Sequence, residues 1–189
     1  MKPLAILLFS LLLAEKLFGE RSIVIGKDTF ILAYSEENKN GRLQEFVRPS
    51  ENLESWTELI GVRIFQSLDS PKQYIENMAA EYRKRFPLNQ FAVFENKETK
   101  AWMIDYIIFP PEMDKGIIEW NYFVAVKSPS GTGITVNQFA ARRAVVGTVK
   151  QTMKAWSLGT YRNSMLPVLM QSRFSIEENS NTGHSQGQK

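Results

Sequence analysis

Residues 54–86 read ESWTELIGVRIFQSLDSPKQYIENMAAEYRKRF, a strand pattern that runs straight into a capped helix pattern. Ile60, Val62 and Ile64 fall on one face, with Trp56 and Glu58 in the same register, and Leu59 and Phe65 lie on the other. β-Branched and aromatic residues at this density suit a pleated, buried surface, and apolar residues on both faces predict an interior strand. The helix that follows announces its own start. Ser70 stands at the N-cap, Pro71 at the first helical position, and Gln73 where a capping box places Glu or Gln. Tyr74, Ile75, Met78, Ala79 and Tyr82 form one apolar stripe, opposite Lys72, Glu76, Glu81 and Arg83. Pro87 closes it, because proline disfavours helical geometry in the preceding residue. A helix with a single apolar stripe must lay that stripe on something. The sheet is the surface at hand.

The remaining chain reads mostly as antiparallel strands. Residues 22–25 and 29–34 are predicted strands around a Gly26-Lys27-Asp28 turn, and 36–42 are a polar loop holding the hairpin signal Asn40-Gly41. Residues 43–48 return as a strand. Beyond Pro87, residues 90–95 and 101–109 flank the charged turn 96–100, and Pro110-Pro111 stops the second, since proline cannot donate to a ladder. In that strand Trp102, Ile104, Tyr106 and Ile108 share a face; Ile118, Trp120, Tyr122, Val124 and Val126 then alternate in the next. The turn 128–133 leads to a strand over 134–141. A closing helix is expected from near Arg142, with Val146, Val149, Met153 and Trp156 as its stripe and Pro167 as its limit. The expected architecture is α+β: an antiparallel sheet of about six or seven strands with two main helices packed on it.

The ends of the chain carry a different message. Lys2 precedes residues 4–14 (LAILLFSLLLA), a stretch without charge that is too short to span a bilayer and suited to a secretory signal. The expected organisation is a signal peptide over 1–19, cut after Ala14 or Gly19, one domain over 20–170, and a disordered polar tail over 175–189. No further stretch reaches membrane length, so no span is expected beyond an N-terminal signal left uncleaved. The chain has no cysteine, which excludes lipid anchoring at a processed cysteine and excludes disulfides. With no Asn-x-Ser/Thr acceptor either, the composition suits a bacterial periplasmic or secreted protein. The net charge of +3 falls to +2 (3 − 1) without Lys2, a balance that does not point to nucleic acid.

Catalytic groups are scarce. His184 is the sole histidine and sits in the tail, so histidine-based triads, cysteine pairs and histidine-rich metal sites are unavailable. No phosphate-cradling glycine loop occurs; Ser130-Gly131-Thr132-Gly133 lies between strands and reads as a hairpin turn. No cofactor and no metal are expected. Paired carboxylates stay open, with Glu58, Asp105 and Glu119 as candidates, since glycoside hydrolysis needs two within about 10 Å. Their simpler reading is structural. Trp102 and Trp120, on apolar faces of neighbouring strands, are either core or a stacking platform. Arg142 and Arg143 end the last strand and either hold an anion or contact the next helix.

The order of elements, with a leading hairpin, a strand carrying Trp56, a Ser70-Pro71-capped helix, an antiparallel meander and a final helix with Trp156, resembles the PsbP-like domain of thylakoid-lumen and bacterial envelope proteins, including the DcrB type. That resemblance implies an α+β sandwich over residues 22–164 and a small, exported, non-catalytic accessory protein that binds a partner. It transfers no functional residue.

Three functions are therefore expected in order. The first is an exported, non-enzymatic accessory protein that binds another envelope or secreted protein. The second is a small-ligand carrier with a pocket between helix and sheet lined by Tyr74, Met78, Trp102 and Tyr106. The third is a carboxylate-dependent hydrolase. Candidate contact residues are Trp56, Glu58, Tyr74, Met78, Trp102, Tyr106, Trp120, Arg142 and Arg143.

Overall fold

Alternation of apolar and polar side chains dominates the chain after residue 90, and it folds as one antiparallel sheet. The computed structural model describes residues 21–87, 89, 91–129, 131–171 and 177–178. Its elements are β1 (Arg21–Ile25), β2 (Asp28–Asn38), β3 (Gly41–Val47), β4 (Glu58–Phe65), α1 (Pro71–Arg85), β5 (Phe91–Asn96), β6 (Ala101–Ile108), β7 (Ile117–Lys127), β8 (Ile134–Ala144), α2 (Val149–Trp156), α3 (Leu158–Gln171) and β9 (Glu177–Glu178). The strand order is β5-β6-β7-β8-β4-β3-β2-β1-β9, and every pairing is antiparallel. The fold is α+β.

The central strand behaves as its pattern requires: β4 lies between β3 and β8. The α1 start also holds, with Gln73 N–H donating to Ser70 Oγ at 3.1 Å. The Gln73 side chain does not complete a capping box; it donates to Asn77 Oδ1 at 2.8 Å. Two orthogonal demands split the core. Ile75 and Ala79 of α1 press on Ile104, Tyr106, Phe123, Ala125, Ile134 and Val136. The opposite face carries Phe46, Ile60, Trp120, Tyr122 and Phe139 under Val149 of α2 and Leu158 and Leu169 of α3. We refer to these as the α1 face and the α3 face.

Four expectations are corrected. Strands exceed six or seven, because eight span five residues or more and β9 adds a two-residue pairing with Ser22 and Arg21. Residues 36–42 are not a loop. Glu36 pairs with Leu43 and Glu37 with Arg42, so the β2–β3 hairpin extends beyond the core with polar side chains on both sides, and the turn shrinks to Lys39-Asn40. Gly41 is required there, since φ is +145° and a Cβ would meet the carbonyl oxygen of Ile64. No helix starts at Arg142: β8 runs on to Ala144 because β7 is long enough to pair with it. Val146 is exposed rather than part of a stripe. Finally, there are three helices among the described residues, not two. Thr148 caps α2, Ser157 in a left-handed conformation (φ 53°) ends it, and α3 follows at once with Pro167 inside rather than beyond it. The predicted signal over 1–19 and the tail outside Glu177–Glu178 lie outside the described residues.

Candidate functional site

Two carboxylates are buried on the α3 face, and consecutive residues of α3 reach both. Glu58 opens β4. Its Oε2 accepts from Arg48 Nη2 at 2.5 Å and Nε at 3.1 Å, and its Oε1 accepts from Tyr161 Oη at 2.7 Å. Arg48 also donates to Asp28 Oδ1 at 3.2 Å, which ties the starts of β2 and β4 through the end of β3. Burial works against the Arg48 charge, yet the bonds to Asp28 and Glu58 outweigh it and hold the guanidinium more basic than usual. Burial, and then the bond to Glu58, push the Tyr161 hydroxyl up.

Asp105, in mid-β6, accepts one bond at each oxygen. Oδ1 accepts from the Trp120 indole at 2.7 Å and Oδ2 from Arg162 Nη2 at 2.5 Å. Burial followed by the nearby Asp105 charge pushes the Tyr122 hydroxyl up to about 12. Trp120 itself is walled by Phe139 at 5.5 Å and by Tyr161 edge-on at 5.8 Å between ring centroids. β7 and β8 stand between β6 and β4, so three strand spacings separate Asp105 from Glu58, roughly 14 Å. Glu119 lies on the opposite face and accepts from Asn121 Nδ2 at 2.7 Å. The three carboxylates expected as a hydrolytic pair are thus not brought together. One row further along the α3 face, Gln44 and Asn137 flank Val62; the Gln44 amide and Asn137 Oδ1 have no hydrogen-bond partner among the described residues.

The α1 face treats its polar groups differently. Arg63 Nη1 donates to Gln138 Oε1 at 2.7 Å, and Gln138 Nε2 donates to Asn121 Oδ1 at 2.8 Å. With Glu45 and Glu119 at its ends, this line crosses β3, β4, β8 and β7. Gly61 makes the crossing feasible, since a Cβ there would lie 2.9 Å from Arg63 Nη1.

The remaining candidates disperse. Trp102 and Trp120 point to opposite faces and form no shared platform; the unknown register across residues 109–116 hid this from the sequence. Trp102 sits under Lys72 Nζ at 5.1 Å. Tyr74 and Met78 border a cleft of about 480 Å³ that runs beside α1 from Ser67 to Glu81, but Trp102 and Tyr106 do not line it. Tyr106 is core, packed 4.6 Å from Tyr82 and 6.0 Å from Phe123. Arg142 and Arg143 also part. Arg142 donates to the Trp56 and Glu54 carbonyls at 2.6 and 2.8 Å and lies 4.0 Å over the Trp56 ring. Arg143 lies 5.0 Å over Trp156. Both pin their own chain instead of converging on an anion. Sequence reasoning missed Arg48, Tyr161, Arg162, Arg63 and Gln138, each of which acts over a long sequence separation and carries no local signature.

Among the described residues, no group of three potential metal ligands occurs, and no helix is long and apolar enough to cross a membrane. No curated protein matches the chain. No solved structure matches it either. The model of one protein family matches residues 20–174, most of the chain, and the chain belongs to that family.

Proposed function

We propose that the chain is an exported, non-enzymatic accessory protein of the PsbP-like type that docks on another envelope or secreted protein. The observation that carries this reading is the state of the two buried carboxylates. Both oxygens of Glu58 and both of Asp105 already accept hydrogen bonds from the chain's own side chains, three at Glu58 and two at Asp105, so these groups are engaged in holding α3 and the strands together. Export is supported by Lys2 and the uncharged stretch over residues 4–14, and by a domain that contains no cysteine.

The test is to cross-link the protein in intact cells and identify its partners by mass spectrometry, with N-terminal sequencing of the exported form. The expected result is one dominant envelope partner and a mature chain that begins near residue 15 or 20. A protein that stays free in the soluble exported fraction overturns the docking role.

A further inference from the structure

We propose that the free edge of β5 is the docking surface, and that its occupant is an extended partner segment with an apolar centre and acidic flanks, added as a further strand. This rests on the accessory reading above and names where and how the partner binds.

The sheet has two edges, and the chain treats them differently. At one edge β9 lies against β1, placing Glu178 opposite Arg21 and Glu177 opposite Ser22. There the chain supplies an acidic extended segment of its own. At the other edge β5 has β6 on one side and no strand on the other among the described residues. An uncovered edge presents a row of backbone N–H and C=O groups that templates another strand, and proteins usually blunt such edges with proline, lysine or a bulge. β5 reads FAVFEN and pairs with β6 in unbroken register, so it has no proline, lysine or bulge, and its one charged residue, Glu95, stands next to its C-terminal end.

Its ends are basic instead. Arg83, Lys84 and Arg85 close α1, and the Arg83 guanidinium sits 5.9 Å over the ring of Phe91, the first residue of β5. Lys97 and Lys100 stand in the turn at the other end. All five are exposed, and no ion pair holds any of them among the described residues. Glu95 and Glu98 oppose these five cations, leaving a surplus of three positive charges (5 − 2). Between the basic ends, Phe91 and Val93 lean to the α1 face and Phe94 to the α3 face, each half-buried. An added strand meets apolar side chains at its middle and cations at its tips.

The full mature chain is titrated with a roughly ten-residue peptide carrying a Val-Thr-Val-Thr centre between Glu-Glu flanks, and with the same centre between Lys-Lys flanks. The acidic peptide is expected to slow amide hydrogen exchange in residues 91–96. Its affinity should fall about tenfold between low and moderate salt, and about tenfold again in the Arg83→Glu/Lys97→Glu variant. The lysine-flanked peptide should not bind. Equal binding of both peptides, protection elsewhere in the sheet, or a dimer of this chain paired through β5 overturns the proposal. The in-cell experiment separates the two ideas. Partner cross-links at Lys97 and Lys100 support the edge; a partner cross-linked elsewhere overturns the edge and leaves the accessory reading standing; no partner overturns that reading itself.

Discussion

The two faces of the sheet are stabilised by different physics. Under α1 the contact is aromatic and aliphatic, with Ile75 and Ala79 against Ile104, Tyr106 and Phe123, and the polar line from Arg63 to Asn121 is carried by the strands alone. Under α3 the helix is joined to the sheet by directed bonds as well as by packing, through Tyr161 to Glu58 and Arg162 to Asp105. Packing alone tolerates small slides of a helix. Two bonds to fixed carboxylates do not, so α3 is placed by geometry where α1 is placed by volume.

Five substitutions break or sharpen this contrast. Trp120→Ala should have the largest effect, about 4–5 kcal/mol in urea denaturation, because it empties a fully buried site and strips Asp105 of a donor. Ile75→Ala on the other face removes only packed volume and should cost about 3 kcal/mol by the same measurement. The contrast fails if Trp120→Phe, which loses the indole donor while keeping a ring, proves as mild as an ordinary packing change. Glu58→Gln preserves shape and should still cost about 2 kcal/mol, with a coupling of about 1 kcal/mol to Tyr161→Phe in a double-mutant cycle. A coupling near zero would mean that the Tyr161 bond does not help hold α3, leaving Arg162 as its one directed bond to a buried carboxylate among the described residues.

The smallest effect is expected in alkali. Tyr122 ionises near 12 in the folded chain against an ordinary 10.0. Its raised value favours the folded state fully below pH 10, and that advantage fades as pH rises from 10 to 12. Thermal melts across this window should show stability falling, and Tyr122→Phe should flatten part of the fall.

Much of the architecture was legible in local chemistry. Ser70-Pro71 fixes the α1 start, and the alternation from Ile118 to Val126 fixes β7, because each signal is confined to a few neighbouring residues. The hairpin over residues 36–42 was hidden because it projects past the core and has no apolar side to display. The end of β8 was hidden for a related reason: Arg142 and Arg143 look like a helix start until β7 is known to extend opposite them. The site was less legible than the fold. Glu58 showed its burial through its register with Ile60 and Ile64, but Arg48 and Tyr161, 10 and 103 positions away, are brought to it by tertiary structure alone.

Tyr161 and Arg162 are adjacent in sequence, and this has a mechanical consequence. Both clasps sit on the same turn of α3, so a load pulling on the C-terminal end of that helix strains them together rather than one after the other. Under a pulling force the helix should hold to a single threshold and then release from the sheet in one step, with α1 still seated on the other side.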